Sequence, residues 1–476
     1  MLQDADDDLV PDVLKYEDFI ATKLAITADV AKRLRAGYSP SSLLRMDSPK
    51  GNLTLRAGAI PELEDRLVYT AIAGVIADVA DKSMEAETVV PSYRVRIGKR
   101  DEFLFRFPVM QWFKFQDLIR AGYDDGYRYM FRTDLTAYFD HIDHESLKAQ
   151  LAGLGVHKGV IHLLGLLLDH WLDRKTGIPQ GSAPSSLLGN LYLDPLDKHM
   201  IRRGYRYFRY MDDICVFGHS RDELQRAAIE IIHQTRLLGL HIQTAKTQIH
   251  EGTAILALVN ERQSALEAID YGFDINRPDI AVAQVHAVLK ELLAKRPLNE
   301  RHFRKCLNSL RRAKSPDGVP ATLKHLDTFL STANQIAVYL RDYVRTHPSI
   351  RTTLIKYLMS PTTTIYEWPE YWFTWTLQGA RNLPRPFLDW ARTRMQYPEC
   401  HWAVRAQLAL LLGSFGDFSD RTLVLSLVPS RENDYERRGF IRALSGLPNP
   451  QKAIALRKIE LDYPSLAAAV GLTRRS

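Results

Sequence analysis

Residues 206–218, Arg-Tyr-Phe-Arg-Tyr-Met-Asp-Asp-Ile-Cys-Val-Phe-Gly, decide the fold of this chain. Residues 206–210 alternate with the period of two that is typical of a β-strand, and the apolar run 214–217 predicts a return strand. Asp212 and Asp213 are therefore expected at the tip of a tight hairpin. Two like charges in apolar surroundings repel each other and are costly to desolvate, so we expect a cation beside them, and a divalent metal is the simplest candidate.

Two segments upstream carry related chemistry. Residues 131–140, Phe-Arg-Thr-Asp-Leu-Thr-Ala-Tyr-Phe-Asp, lead from apolar residues into a third carboxylate, Asp134. Residues 177–186, Gly-Ile-Pro-Gln-Gly-Ser-Ala-Pro-Ser-Ser, form a flexible loop before an apolar stretch. Three carboxylates on two strand ends suit a phosphoryl-transfer site with two metal ions roughly 4 Å apart. Each aspartate taken alone could equally be a turn or capping residue.

Taken in order, these segments resemble the motifs of the reverse transcriptases. Residues 131–140 are similar to motif A, 177–186 to motif B, 210–213 to motif C in its YxDD form, and 238–247 to motif D. Residues 56–61 and 65–68 resemble the fingers motifs, and residues 92–96 resemble the segment that follows them. The resemblance covers about residues 50 to 250. It implies an α/β (α+β) right-hand polymerase with fingers and palm, which we assign to residues 1–275.

The resemblance also implies a set of site residues. The catalytic carboxylates and metal ligands are Asp134, Asp212 and Asp213, and the backbone carbonyl of Leu135 is a further metal ligand. The nucleotide-binding residues are Arg56, Phe139, Gln180, Gly181 and Lys246. The cofactor is Mg²⁺, as two ions, with Mn²⁺ as a substitute.

Each nucleotide-binding residue has an expected role. Phe139 would crowd the 2′ position of the sugar and favour dNTPs over rNTPs, although it could simply be a core aromatic. The Arg56 guanidinium suits triphosphate oxygens. Gln180 would lie against the sugar, and Gly181 lets the backbone approach closely. Lys246 would protonate or neutralise the pyrophosphate leaving group, or else is a surface lysine in a turn.

The composition of the 476-residue chain is ordinary for a globular protein of two or three domains, with 46% hydrophobic and 25% charged residues. No run of eighteen apolar residues occurs, and the acidic start is unlike a signal peptide. The three cysteines, Cys215, Cys306 and Cys400, show no metal-ligand or disulfide spacing, and Cys215 is expected to fill the core. We therefore expect a cytoplasmic protein with no membrane association.

Charge is distributed unevenly along the sequence. Residues 281–476 contain 29 Lys and Arg against 16 Asp and Glu, a net charge of +13, which leaves −6 for residues 1–280. A basic C-terminal region could hold a nucleic-acid backbone, because phosphate contacts supply most nonspecific affinity. Solvated basic faces on ordinary helices explain the same count.

Residues 276–476 are predicted to be an α-helical, repeat-like basic domain of HEAT-like type that replaces a conventional thumb. Residues 281–295 have a helical apolar face, and residues 322–345 are typical of another long helix. Gly379, Gly413 and Gly446 follow apolar stretches and are almost evenly separated along the sequence. We interpret each as the left-handed cap that ends one helix of a helix-pair repeat, with coincidental caps as the alternative.

A reverse transcriptase core followed by such helices resembles the bacterial defence-associated class, the abortive-infection and unknown-group reverse transcriptases. The resemblance implies an RNA-directed DNA polymerase acting in antiviral defence, with template-independent or protein-primed synthesis left open. The implied partners are dNTPs, an RNA template or structured non-coding RNA, DNA joined covalently to a tyrosine, and a second copy or companion protein. The alternatives are a non-polymerising RNA-binding scaffold, and a host or mobile-element reverse transcriptase that copies an associated RNA from a normal primer.

Overall fold

The computed structural model describes residues 11–50, 54–96, 104–106, 108–274, 276–294, 299–361 and 365–475. Contacts within the described part divide it into two compact units. The first unit contains residues 33–44 and 59–263. The second contains residues 11–32, 45–58 and 264–475, apart from the segments left undescribed. The assignment of a polymerase domain to residues 1–275 and a helical domain to residues 276–476 stays a prediction.

The first unit is built on a four-stranded antiparallel sheet. Its strands are β3 Tyr129–Thr133, β4 Arg206–Tyr210, β5 Asp213–Gly218 and β6 Gln248–Glu251. They lie in the order β4-β5-β3-β6. Its helices are α2 Leu63–Ser83, α3 Pro108–Asp124, α4 His144–Gly153, α5 Lys158–Trp171, α6 Ala183–Tyr192, α7 Asp194–Arg202 and α8 Arg221–Leu237. Helix α9, Thr253–Asp274, begins in this unit.

A buried cluster fixes the sheet in place. Its residues come from α3, from the strands and from the start of α9: Phe115, Ile119, Met130, Phe208, Cys215, Phe217, Ile255 and Val259. Cys215 is fully buried and carries a free thiol, so the prediction that it fills the core is confirmed. Strand β3 lies between β5 and β6, so its carboxyl end lies beside the amino end of β5.

Three elements contain residues that are assigned to different units. Helix α1 is Glu17–Ala36, and a two-stranded sheet pairs β1 Leu43–Lys50 with β2 Thr54–Pro61. The predicted fingers residue Arg56 is exposed on β2, in the segment that belongs to the second unit.

The second unit is α-helical in its described C-terminal part. Its helices are α10 Pro278–Ala294, α11 Glu300–Arg312, α12 Val319–Lys324, α13 Ala333–Tyr343, α14 Pro348–Met359, α15 Glu367–Leu377, α16 Arg385–Gln396, α17 Trp402–Phe415, α18 Phe418–Leu427, α19 Asp434–Ala443, α20 Asn449–Asp462 and α21 Ala467–Arg475. The odd-numbered helices form one row, in which each packs on the next: α11, α13, α15, α17, α19 and α21. The first residues of these six stacked helices follow one another at nearly equal intervals along the chain.

Two predictions about this unit have different outcomes. The helix expected at residues 281–295 is present as α10, with residue 295 outside the described part. The single long helix expected at residues 322–345 is wrong, because the chain passes from α12 through two short 3-10 turns into α13. That break places Phe329 in a parallel stack on Phe303, with ring centroids 3.8 Å apart. The HEAT-like character of the repeat stays a prediction.

The three regularly spaced glycines mark helix contacts, not left-handed caps. None of them has a positive φ, and Gly413 lies inside α17. A Cβ atom on Gly413 would stand 2.3 Å from the carbonyl oxygen of Ala443, and a Cβ on Gly446 would stand 2.3 Å from the carbonyl oxygen of Gly413. The prediction of αL caps is therefore wrong. At Gly413 and Gly446 glycine occurs because another backbone approaches too closely for a Cβ atom, whereas a Cβ on Gly379 would meet the side chain of Val344 at 3.1 Å.

Many arginines of the second unit bind the next helices along the chain. Arg311 pairs with Asp342, Arg385 with Asp417, and Arg405 with Glu436, at N–O distances of 3.0, 2.8 and 2.7 Å. The two partners of each pair are separated in sequence by nearly the interval between stacked helices. Part of the positive charge counted in the sequence therefore joins helices together, and binding of phosphates by this region stays a prediction.

An N-terminal segment also belongs to the second unit. Asp12 and Asp18 both contact the guanidinium of Arg438 on α19, and all three side chains are buried.

Within the described residues, no helix has both the length and the apolar character needed to cross a membrane.

Candidate active site

The hairpin predicted at residues 206–218 is present. Strands β4 and β5 pair from Arg206 opposite Phe217 to Tyr210 opposite Asp213, so Met211 and Asp212 form a two-residue turn. Met211 has a φ of +53°, the left-handed conformation that such turns require and that non-glycine residues rarely adopt. The turn presents the Asp212 side chain, which is half-buried.

Asp134 follows directly after β3, whose last residue Thr133 pairs with Ile214 on β5. This register brings the Asp134 and Asp212 carboxyl groups close enough for each to affect the ionisation of the other. Burial, and then the nearby charge of Asp134, raises the pKa of Asp212 to about 7. Two neighbouring carboxyl groups form a site where a bound cation would relieve the repulsion between their charges.

The Asp213 carboxylate binds a different partner, the guanidinium of Arg132. The Nε of Arg132 on β3 donates to one Asp213 oxygen at 2.8 Å, and the Nη2 donates to the other. The two residues belong to adjacent strands of the sheet. Among the described residues, no group of three or more His, Cys, Asp or Glu side chains is arranged to hold a metal ion. Arg132 therefore binds Asp213 through both carboxylate oxygens, and the neighbour of Asp212 in the pair of carboxyl groups is Asp134.

The pair fits a divalent cation of the Mg²⁺ type. Carboxylate oxygens are the ligands that Mg²⁺ prefers, and one or two carboxylates plus substrate phosphates commonly complete its coordination. Leu135, the predicted backbone ligand, is buried, and its N–H donates to the Asp134 carboxylate at 2.9 Å. The assignment of Asp134, Leu135, Asp212 and Asp213 as metal ligands stays a prediction.

Lys246 lies in a 3-10 turn, Thr244–Lys246, and its ammonium group contacts the Asp134 carboxylate. Backbone hydrogen bonds fix the segment before it against the end of β3. The Thr136 N–H donates to the His241 carbonyl at 2.8 Å, and the Gln243 N–H donates to the Asp134 carbonyl at 2.6 Å. The side chain is 65% exposed, so it is free to leave the carboxylate when another cation replaces it.

We expect replacement of Lys246 by Ala to slow nucleotide incorporation by about 10-fold to 100-fold, because a positioned proton donor contributes factors of this order. Lys246→Arg keeps the charge but donates a proton poorly, since guanidinium does not deprotonate. Single-turnover rates would separate the two roles. An Arg variant as fast as the native protein would show that charge alone is used.

The motif-B loop is shaped by two glycines. Gly177 and Gly181 have φ values of +94° and +114°, which favour glycine strongly. A Cβ on Gly177 would also approach the Asp140 carbonyl oxygen to 3.3 Å. Gln180 is half-buried, and its carbonyl accepts a hydrogen bond from the Ala59 N–H at 3.2 Å. The loop then enters α6, whose residue Gly189 lies against Phe139 and Met211.

Phe139 is therefore close to the turn that carries Asp212. A Cβ on Gly189 would stand 3.4 Å from both the Phe139 ring and the Met211 Cε atom. Phe139 is half-buried, so part of its ring is available to a ligand. The roles of Phe139, Gln180, Gly181, Lys246 and Arg56 in nucleotide binding stay predictions.

Sequence reasoning missed a group of buried polar residues beneath the hairpin. Arg209, Asp197, Asn190 and Ser92 are fully buried and hydrogen-bonded to one another. The signals were present, since Asn190 is a polar residue inside an otherwise apolar helix and Arg209 lies in a strand between aromatic residues. Arg132 was missed as well, although it alternates with apolar residues on β3.

Comparison with known families agrees with this geometry. Residues 54–271 match the family model described as "Reverse transcriptase (RNA-dependent DNA polymerase)". This segment of the chain is therefore similar to the reverse transcriptases. The matched residues include both strands of the hairpin, Asp134 and the Gly177–Gly181 loop, and they agree with the predicted resemblance to the polymerase segment of that family.

Individual relatives are more distant. The chain is 27% identical over 191 residues to Protein YkfC of Escherichia coli (strain K12), covering 39% of this chain and 47% of that protein. It thus spans about half the length of the curated relative it matches. Among solved structures, apo telomerase from Candida tropicalis truncated from its C-terminal domain aligns at 14% identity with a TM-score of 0.34, covering 48% of this chain and 55% of that one. Telomerase from the same organism in complex with a TWJ fragment of telomeric RNA aligns at 11% identity with a TM-score of 0.36, covering 74% and 68%. TM-scores this low do not establish a common fold.

Proposed function

We propose that this protein is an RNA-directed DNA polymerase that transfers nucleotidyl groups from dNTPs to a growing strand. The observation that carries the proposal is the Asp134–Asp212 pair, which lies at adjacent strand ends inside the matched reverse transcriptase segment. In the reaction, a 3′-hydroxyl attacks the α-phosphate in line, the new phosphodiester forms, and pyrophosphate leaves.

The chain's own residues would divide the work. Asp134 and Asp212 would hold two Mg²⁺ ions, which supply charge neutralisation and activate the attacking hydroxyl. Lys246, beside Asp134, is placed to deliver a proton or positive charge to the leaving group. Gln180 and Phe139 would face the sugar, and the glycine-rich loop would let the nucleotide approach the backbone.

The direct test uses the purified full chain with an RNA template, an annealed DNA primer, labelled dNTPs and Mg²⁺ or Mn²⁺. We expect primer extension that follows the template and disappears with EDTA. Absence of any dNTP incorporation under both metals, with folded protein, would contradict the proposal and favour a non-polymerising RNA-binding scaffold. Omitting first the primer and then the template from parallel reactions distinguishes a primed copying enzyme from a template-independent one.

We expect Phe139→Ala to admit ribonucleotides. Removing the ring opens space beside the turn, so the discrimination between dCTP and CTP should fall by about 10-fold or more, while dCTP incorporation changes less. The measurement is the ratio of kcat/KM values for the two nucleotides. Phe139→Tyr, which keeps the bulk of the ring, is the matched control and should retain the discrimination. Unchanged discrimination in the Ala variant would make Phe139 a core aromatic.

We further propose that the DNA synthesis serves antiviral defence in bacteria. Support comes from the resemblance to defence-associated reverse transcriptases, together with the row of stacked helices that follows the polymerase segment. Cells expressing the native protein should survive phage challenge better than cells expressing Asp212→Asn. Sequencing the nucleic acid that copurifies would identify template, product and any structured RNA, and covalent attachment of that DNA after denaturation would indicate protein priming.

A further inference from the structure

A buried arginine lies directly beneath the catalytic turn. Arg209, on β4, has no exposed surface, yet each of its five N–H groups meets an acceptor. Its Nε and Nη2 form a bidentate pair with Asp197 on α7, with both distances 2.7 Å. The remaining N–H groups bond the side chain and the backbone carbonyl of Asn190, each at 2.7 Å, and the Met211 carbonyl at 3.2 Å.

Ser92 binds the backbone N–H of Met211, the residue whose carbonyl oxygen accepts from Arg209. The Met211 N–H donates to the Ser92 Oγ at 3.0 Å, and the hydroxyl in turn donates to the Asn190 side chain at 3.1 Å. The Asn190 Nδ2 donates back to the Ser92 carbonyl at 2.7 Å. Both backbone polar groups of Met211 are therefore fixed by one connected network from α6, α7 and the segment around residue 92.

Met211 needs this support because of its conformation. A φ of +53° is unfavourable for a side chain with a Cβ, and such strain persists only where the surroundings determine the backbone. A buried ion pair is also a poor source of net stability, because desolvation offsets much of its attraction. The features of the network, namely its burial, its complete pairing and its two contacts to one strained residue, indicate a role in setting backbone geometry.

We propose that Arg209, with Asp197, Asn190 and Ser92, positions the catalytic turn, and so sets the placement of Asp212 relative to Asp134. These are positioning residues, since they act through Met211 and do not touch substrate. The inference rests on the proposed polymerase function. The proposal predicts that a variant can lower kcat and still fold. Such a variant replaces the ion pair by apolar side chains, and the turn then loses the hydrogen bonds that hold Met211.

The separating variant is Tyr207→Phe/Asp197→Leu/Arg209→Met. Tyr207 is included because its hydroxyl donates to Asp197 at 2.7 Å and would otherwise lose its acceptor. The triple variant removes every charge of the ion pair together, so no buried charge is left alone, and such replacements are often neutral for stability. We expect a cooperatively folded protein whose melting temperature is moderately lower, because the Asn190 and Met211 carbonyl oxygens lose a donor. KM for dNTP should stay within about threefold, and kcat should fall by about 100-fold, the size that a misplacement of about 1 Å produces.

A second variant needs no core replacement. Ser92→Ala removes the acceptor of the Met211 N–H and should lower kcat by about 10-fold with little change in KM or melting temperature. Thr235→Val is the matched control, since its buried hydroxyl donates to the Ile232 carbonyl in the same helix, and it should leave kcat unchanged. Because Ser92 and Arg209 both act on Met211, their effects on kcat should be less than additive when combined.

The outcomes are distinguishable. Native kcat in both the folded triple variant and Ser92→Ala would overturn the positioning role while leaving the proposed polymerase function intact. If the triple variant does not fold, Ser92→Ala decides alone: a lowered kcat supports the role and a native kcat overturns it. Absence of incorporation by the native protein would instead contradict the proposed function itself.

Discussion

Asp212→Asn is expected to reduce dNTP incorporation by at least about 1000-fold, with Asp134→Asn equally severe. The two carboxyl groups lie close together, one after β3 and the other in the β4–β5 turn. Each Asn variant would replace an anionic metal ligand by a neutral amide of nearly the same shape. The expected size follows from the several kcal/mol of charge stabilisation that bound metal supplies to phosphoryl transfer. Single-turnover incorporation on a primed RNA template, at saturating Mg²⁺, measures it.

Asp213→Asn should be less damaging than either. The Nε and Nη2 groups of Arg132 donate to the two oxygens of the Asp213 carboxylate. We therefore expect Asp213 to contribute to the shape of the site more than to the negative charge beside Asp134 and Asp212. Loss of this half-buried pair should appear as a lower melting temperature together with a partial fall in rate. Asp222→Asn, an exposed aspartate at the start of α8, is the matched control. Equal loss of activity in all three site variants would show that Asp213 is also a metal ligand when metal is bound.

The contrast between these aspartates explains what sequence alone could supply. The hairpin was predictable because its two strands are adjacent in sequence and alternate with a period of two, so the position of Asp212 depends on local residues only. The partner of Asp213 was not predictable, since Arg132 lies far from it in sequence and adjacency of β3 and β5 is a property of the whole sheet. The network beneath Met211 was unpredictable for the same reason.

The helical unit shows a second limit of local signals. The separation of the three glycines is close to the interval between the first residues of the stacked helices, and the repeat-like domain inferred from it stays a prediction. The predicted cause of that separation was wrong, since a glycine required by close contact between two backbones and a glycine required by a positive φ look identical in one sequence. The break before α13 was likewise not predictable, since the stack of Phe329 on Phe303 that accompanies it is a contact between residues on different elements.

The largest effect on stability is expected from Arg438→Met. Arg438 lies in the second unit, where its Nη2 and Nε bond Asp18 at 2.5 and 2.7 Å and its Nη1 bonds Asp12 at 3.0 Å. All three side chains are buried. Arg438→Met removes the cation that contacts both carboxylates and leaves two buried like charges. Breaking a buried pair in this way costs about 3–5 kcal/mol. Urea unfolding of the full chain, followed by tryptophan fluorescence, would report the loss.

Two comparisons make this prediction specific to the buried charges. Arg474→Met removes an arginine from an exposed pair with Glu460 in the same unit and should cost less than about 1 kcal/mol. Asp12→Leu/Asp18→Leu/Arg438→Met removes all three charges and should recover most of the lost stability, because no ion remains unpaired. If the single and triple variants were equally unstable, shape and not charge would account for the loss.

The same variant should respond to pH in a defined direction. Burial raises the pKa of Asp12 above its usual value, and the charge of Arg438 is the largest cause that opposes this. Without Arg438 the folded-state pKa of Asp12 must rise further, so the folded protein binds a proton that the unfolded chain releases near its ordinary pKa of about 4. Stability of Arg438→Met should therefore increase as the pH falls from 8 towards 5, and the native protein should change less over that interval. A deficit that stayed constant with pH would mean that Asp12 remains ionised and has found another partner.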